Sequence, residues 1–127
     1  MRRTVLGAIA ALAIAASTAQ AHHSFAAAYR ETEKVTIEGV VVQMVYRNPH
    51  SFLHVDAPDD KGVKRRWTIE WGAAAQLEAQ GVKRGTLRPG DKVVVMADPS
   101  RNPTDYRLRM RTLERPADGF KYGGTFD

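Results

Sequence analysis

The order of strand-like and helix-like segments is the feature that most limits how this chain can fold. Three segments rich in β-branched and alternating residues come first, at residues 35–46, 51–57 and 64–71. A short segment of helix-forming composition follows at 73–80, and two more strand-like segments complete the series, at 92–97 and 106–113. Because β-branched residues and period-two alternation favour strands, the chain is predicted to be mainly β.

Three strands, one helix and two strands are the order of a five-stranded Greek-key barrel of the OB type. The predicted short helix then lies between strands 3 and 4. The first strand is longer than a typical strand, and Gly39 within it favours a bulge or bend. The barrel is predicted over residues 35–115, after an N-terminal arm (22–34) and before a poorly anchored C-terminal tail (116–127). Three aromatic residues of this tail, Phe120, Tyr122 and Phe126, could pack against the domain. A different small β-barrel or a β-sandwich is the main alternative.

The first 21 residues have the three-part pattern of a secretory signal peptide. The start is positively charged, residues 5–16 are apolar, and Ala19 and Ala21 provide a small-residue cleavage site. The apolar run is shorter than the roughly 20 residues that cross a bilayer. We therefore expect cleavage after Ala21, a periplasmic or secreted location, and no transmembrane segment in residues 22–127.

Composition excludes some chemistry and leaves the ligand open. The chain has no cysteine, so it has neither disulfides nor thiolate metal ligands. The formal net charge is +5, of which two charges belong to the predicted signal peptide. An exported protein rarely meets nucleic acid, so nucleic acid is not expected as a partner. Acidic polysaccharides, lipid headgroups or solubility explain such a charge equally well.

The four histidines fall into two pairs, His22 with His23 and His50 with His54. After cleavage His22 would be the first residue, and its α-amine and imidazole would supply two nitrogen ligands. Nitrogen ligands in a tetragonal arrangement suit copper(II), whereas tetrahedral ligation suits zinc. The sequence therefore indicates a metal site at the mature N-terminus, with copper(II) expected before zinc.

Glu70 is the carboxylate predicted to lie on the same face as the second pair of histidines. If strands 2 and 3 form a hairpin, one face carries His50, Phe52, His54 and Glu70. Glu70 would then ligate the metal or orient a ligating imidazole. Along a strand, four residues separate α-carbons by roughly 13 Å, so at most one of His50 and His54 is expected as a close ligand.

Less specific roles for these residues stay open. His50 alternatively caps the turn after Pro49, and His54 is alternatively a surface residue. Glu70 alternatively pairs with Lys64 or Arg66.

Aromatic residues of strands 2 and 3 suggest an alternative, metal-independent function. Phe52, Trp67 and Trp71 are candidates for a stacking surface that binds a small molecule or a protein, as OB barrels often bind ligands in this region. Core packing is the competing interpretation for the two tryptophans. A third hypothesis is an enzyme with a His–Glu acid–base pair, but no catalytic motif is present and no residue is assigned as catalytic.

Five short motifs together resemble an uncharacterised family of small exported bacterial proteins, a domain of unknown function. The motifs are His22-His23-Ser24-Phe25, Gly39-x-Val41, Asn48-Pro49-His50, Trp67-x-Ile69-Glu70 and Leu87-Arg88-Pro89-Gly90-Asp91. They extend over essentially the whole predicted mature chain. The resemblance implies a fold and a compartment, and it implies no reaction.

Overall fold

The computed structural model describes residues 25–126, and its secondary structure is mainly β. Residues 25–28 form a helical turn that precedes the first strand. The elements that follow are β1 (Val35–Val45), β2 (Ser51–Pro58), β3 (Lys64–Trp71), α1 (Ala74–Ala79), β4 (Lys92–Pro99), β5 (Arg107–Arg115) and β6 (Phe120–Gly123). Among residues 25–126, no helix is long and apolar enough to cross a membrane.

Strands β1 to β5 close into a barrel. The antiparallel order is β3-β2-β1-β4-β5-β6, and a parallel pairing of β3 with β5 joins the two sides. Strand β1 pairs with a different strand along each half of its length: Val35–Val40 pair with β4, and Val40–Val45 pair with β2. A bulge between Val41 and Gln43 accompanies this change of partner. The structure confirms the predicted mainly-β fold with an OB-like five-stranded barrel and a helix between strands 3 and 4.

Gly39 lies where β1 packs closely against β2. A β-carbon at this position would meet the backbone oxygen of Asp56 at 2.3 Å and the Ala57 β-carbon at 2.7 Å. Both atoms belong to a paired strand and cannot rotate away, so a larger residue would force the strands apart.

We therefore expect Gly39→Ala to lower the free energy of unfolding by roughly 1–3 kcal/mol. Urea denaturation followed by circular dichroism measures this loss. Gly85→Ala is the matched control, because a β-carbon at Gly85 meets nothing within 4 Å. Equal stability of the two variants would show that β1 and β2 separate at little cost.

Helix α1 covers one end of the barrel. Its Leu77 is fully buried, and the residues after it bury Val82 and Leu87 in the same core. The hydroxyl of Tyr46 donates to the backbone oxygens of Ala74 and Val82, which ties the end of β1 to the helix and its following loop. The core is therefore sealed at the end where β3 finishes and β4 begins.

The C-terminal residues include a strand that the sequence did not predict, together with the aromatic packing that it allowed. Residues predicted as a loose tail form β6, which pairs antiparallel with β5. Tyr122 and Phe126 are 7% and 5% exposed, so both side chains belong to the core. The strand has only four residues, and this is too short for its alternation to stand out from a loop.

Candidate functional site

A buried carboxylate, Glu70, is the centre of a polar cluster that contains one of the predicted metal-ligating histidines. Glu70 lies near the end of β3 and is only 7% exposed. One oxygen, Oε1, lies 2.7 Å from His50 Nδ1. The other, Oε2, accepts hydrogen bonds from the Tyr29 hydroxyl and, at 3.0 Å, from Arg107 Nη2. Both oxygens therefore have charged or polar partners, as a buried carboxylate requires.

Three separate parts of the chain bring these partners to Glu70. His50 precedes β2, and because Phe52 pairs with Glu70, His50 lies diagonally across the same face of the hairpin. Arg107 begins β5, which runs parallel to β3 with Glu70 opposite Arg109. Tyr29 comes from the N-terminal segment, where its backbone forms a bridge with Ser100. The cluster thus joins the hairpin, the closing strand and the N-terminal segment.

Hydrogen bonding fixes the charge states of the cluster. Burial alone raises the pKa of Glu70, but hydrogen bonds from Tyr29 and His50 and the Arg107 charge outweigh it, so its pKa lies below the ordinary value. Burial and the neighbouring carboxylate raise the pKa of Tyr29 well above its ordinary value. At neutral pH Glu70 is therefore ionised, and Tyr29 is a protonated donor.

The ionised carboxylate also determines the tautomer of His50. Since Glu70 Oε1 accepts only, the facing Nδ1 of His50 must carry a proton. In neutral His50 this leaves Nε2 with a free lone pair, and no hydrogen bond to Nε2 is present within residues 25–126. The His50 side chain is 28% exposed. His50 is therefore an oriented imidazole on a partly exposed side chain, with a ring nitrogen that could act as a base or a ligand.

An aromatic cluster surrounds His50 and attaches both ends of the described chain. The rings of Phe25 and His50 are stacked with centroids 5.4 Å apart, and the Phe126 ring packs edge-on against both at 5.6 and 5.9 Å. Arg109 is 3% exposed, and its guanidinium lies 3.9 Å from the centre of the Phe25 ring. Arg109 also donates to the backbone oxygen of Phe126 and to Glu31. This arginine therefore holds both ends of the described segment beside His50.

A comparison with known protein families assigns the chain to one of them. Residues 9–108 match a family described as "Family of unknown function (DUF6152)". The chain belongs to this family. No curated protein and no solved structure matches it. The match contains Glu70 and the three residues that bond to it, and the family description assigns no activity to DUF6152 proteins.

The structure of this DUF6152 protein gives His54, a further predicted metal ligand, a partner other than Glu70. His54 contacts Thr68 across the hairpin, with its Nδ1 3.2 Å from the threonine hydroxyl. Burial and, to a lesser extent, Arg66 lower the pKa of His54, so it is neutral at pH 7. Within residues 25–126, the hydrogen-bond partners of Glu70 are Tyr29, His50 and Arg107, and His54 is not among them. His22 and His23 lie outside the described residues. Within residues 25–126 no group of three His, Asp or Glu side chains forms a metal site.

Glu70 has none of the surface partners considered from the sequence. Arg66 instead pairs with Asp56, at 2.7 Å. The carboxylate is buried, and Arg107 is the cation that neutralises it. The ion pair of Glu70 with Lys64 or Arg66 is therefore wrong.

The three predicted ligand-binding aromatics do not form one surface. Trp71 is fully buried and packs edge-on against Tyr122, which makes it a core residue. Trp67 is half-buried near the other end of β3, and its Nε1 donates to the backbone oxygen of Ala57 at 3.1 Å. Phe52 lies on the His50 face. A shared stacking surface of Phe52, Trp67 and Trp71 is thus inconsistent with this fold.

Two guanidinium groups explain the position of Phe52 outside the core. Those of Arg47 and Arg107 lie 5.1 and 5.8 Å from the centre of its ring. Cation–π contacts of this kind favour a partly exposed aromatic residue beside arginines. Phe52 therefore borders the Glu70 cluster and is separate from the tryptophans.

Tyr29, Arg107 and Arg109 were not predicted as site residues, because little in the sequence points to them. Tyr29 lies in the predicted N-terminal arm (22–34), and no spacing in the sequence links it to Glu70. Arg107 and Arg109 belong to an alternating strand, where a charged residue is ordinarily solvated. The local sequence indicates a shared role for these arginines in one way: arginine occupies every second position from 107 to 111. This spacing aligns the arginines on one face of β5.

Proposed function

We propose that this protein is an exported β-barrel module that binds a metal ion, copper(II) in preference to zinc. The ligands are the α-amine and imidazole of His22 and the Nε2 of His50. One observation carries the proposal: the hydrogen bond from His50 Nδ1 to the buried carboxylate of Glu70. This is the arrangement in which a carboxylate orients a metal-ligating histidine and increases its basicity.

The stacking of Phe25 on His50 supports the participation of the N-terminal histidines. Phe25 is only three residues from His22. Since an extended chain spans at most about 3.6 Å per residue, the α-carbon of His22 can lie no more than roughly 11 Å from that of Phe25. The Phe25 ring lies 5.4 Å from the His50 ring. The two ends of the proposed ligand set are therefore within reach of each other.

The donor set suits copper(II) better than zinc. All three donors are nitrogens, and the chain has no cysteine to supply thiolate. Three nitrogen donors with an open position fit tetragonal copper(II), and the same donors bind zinc less tightly because affinities follow the Irving–Williams order. His23, next to His22, is an alternative ligand. His54 is excluded from this set because Thr68 and the β2–β3 hairpin hold it apart from Glu70.

Metal titration of the protein beginning at His22 tests the proposal. We expect one tight copper(II) site by calorimetry and a weaker zinc site. One extra N-terminal Gly moves the amine, and His50→Gln removes the third ligand, so each is expected to weaken copper(II) binding more than about tenfold. His54→Gln is the matched control and is expected to change the affinity little. Binding that ignores both the extension and His50→Gln would overturn the proposal, and it would favour the metal-independent binding module.

A further inference from the structure

The barrel end opposite helix α1 opens into a cleft of about 710 Å³. This volume is within the range of small-molecule sites, about 300–1,000 Å³, and barrel mouths are common places for them. We call it the mouth cleft. Its principal lining residues are Ile37, Lys61, Arg65, Trp67, Tyr106 and Leu108. Ile37 and Leu108 are core residues, 6% and 0% exposed, so the cleft ends against the packed barrel core.

Two aromatic rings form one wall of the mouth cleft. Trp67 and Tyr106 meet edge-to-face with their centroids 5.2 Å apart. Trp67 is held in place by the hydrogen bond from its Nε1 to Ala57. Tyr106 has a φ of +43°, a conformation that is unfavourable for any residue with a β-carbon. Backbone strain of this kind concentrates at ligand-binding positions, and here it sets the orientation of an aromatic ring at the cleft.

The rim of the mouth cleft is positively charged. Four cationic side chains (Arg30, Lys61, Arg65, Arg107) and two carboxylates (Asp59, Asp60) line it. Asp59 is neutralised by Arg65, whose Nε lies 3.0 Å from the carboxylate, and the Arg65 guanidinium lies 4.9 Å from the centre of the Tyr106 ring. The ammonium group of Lys61 has no ion-pair partner within residues 25–126. Arg30 and Arg107 are likewise paired, with Glu33 and Glu70, so Lys61 is the rim cation that is free to meet an anionic group next to the aromatic surface.

We infer that the mouth cleft binds a small aromatic anion, a carboxylate or sulfonate. Its ring lies against Trp67 and Tyr106, and its charged group is at the rim beside Lys61 and Arg65. The inference goes beyond the proposed metal site, because it uses none of its proposed ligands and requires no metal ion.

Fluorescence titration with 1-anilinonaphthalene-8-sulfonate tests the inference on the full chain, with EDTA present so that metal has no part in the result. We expect saturable binding at one site. Tyr106→Gly removes the ring, and glycine adopts the same positive φ without strain, so the fold is retained. This variant is expected to lose about tenfold in affinity, and Lys61→Gln about threefold. Lys83→Gln removes the same charge near helix α1 and is the matched control.

Two results would overturn the inference. One is binding that does not saturate, which indicates general adsorption to apolar surface. The other is equal affinity for the wild type, Tyr106→Gly and Lys83→Gln. The neutral probe N-phenyl-1-naphthylamine checks the charge requirement. We expect it to bind more weakly than the sulfonate, and equal binding would contradict the role of the cationic rim.

Discussion

Arg109→Met is expected to lower the free energy of unfolding by about 3–5 kcal/mol, the usual cost of removing one partner from a buried charged group. The guanidinium is 3% exposed, stacks on Phe25 and Phe126, and donates to Glu31 and to the backbone of Phe126. Methionine fills much of the volume but makes none of these hydrogen bonds. The buried oxygen of Phe126 would lose its donor, which is itself unfavourable.

Chemical denaturation with a fluorescence readout measures this loss. Arg66→Met is the control, because Arg66 makes a salt bridge of similar geometry with Asp56, but its side chain is 57% exposed. Exposed ion pairs contribute little, so this variant is expected to remain near wild-type stability. Similar losses in the two variants would contradict the role given to burial.

The same substitution is expected to loosen both ends of the described chain before the barrel unfolds. Arg109 belongs to β5, whereas Phe25 and Phe126 lie at opposite ends of the described sequence, and the ring stack over Arg109 joins them. Hydrogen exchange should therefore accelerate first around residues 25–31 and 120–126 in Arg109→Met. Uniform acceleration through β1 to β5 would show that the arginine supports the whole barrel.

The barrel could be predicted because the sequence patterns that indicate its strands and turns are local. Alternation in residues 51–57 and 64–71 gave the two faces of the β2–β3 hairpin, and the structure pairs Leu53 with Ile69 and Phe52 with Glu70 as that pattern requires. Turn residues between the segments set the strand ends to within two residues, which is the ordinary uncertainty of such boundaries. The position of the helix between β3 and β4 followed from composition alone.

Half of the Glu70 cluster was predictable, and the other half depends on contacts between distant residues. The placement of Glu70 on the His50 face followed from hairpin register. Tyr29 and Arg107 are 41 and 37 residues away from Glu70. They meet it only because β5 pairs parallel with β3 and the N-terminal segment folds back across the sheet. No period or spacing in a single sequence encodes such a pairing, so both residues were missed.

Glu70→Gln is expected to make stability less dependent on pH below about 4.5 and to cost about 2 kcal/mol at pH 7. The pKa of Glu70 in the folded protein lies below its ordinary value of 4.5, because hydrogen bonds from Tyr29, His50 and Arg107 outweigh the effect of burial. At a pH between the pKa of Glu70 in the folded protein and its higher pKa in the unfolded chain, the unfolded chain binds more protons. The stabilisation is therefore fully present above about pH 4.5 and is lost as the pH falls through the folded pKa.

Urea denaturation at pH 7, 5, 4 and 3 measures this dependence in the wild type and in Glu70→Gln. Glu114→Gln is the matched control, since the Glu114 side chain is 50% exposed and pairs only with Lys121 at 3.4 Å. The two stability curves for wild type and Glu70→Gln should converge as the pH falls, while Glu114→Gln should follow the wild type. A constant difference between wild type and Glu70→Gln from pH 7 to pH 3 would show that Glu70 stabilises by packing, with no contribution from its charge.

The Glu70→Gln variant also distinguishes two roles of the Glu70 carboxylate: stabilising the fold and positioning a metal ligand. Glutamine keeps the size of Glu70, but it is a weaker acceptor for the proton on His50 Nδ1, and this makes Nε2 a poorer donor. Loss of such a partner ordinarily lowers metal affinity about 10- to 100-fold. We therefore expect copper(II) binding at pH 7 to fall in Glu70→Gln and to remain unchanged in Glu114→Gln. If Glu70→Gln loses stability but keeps full copper(II) affinity, the carboxylate holds Tyr29 and Arg107 together and has no part in metal binding.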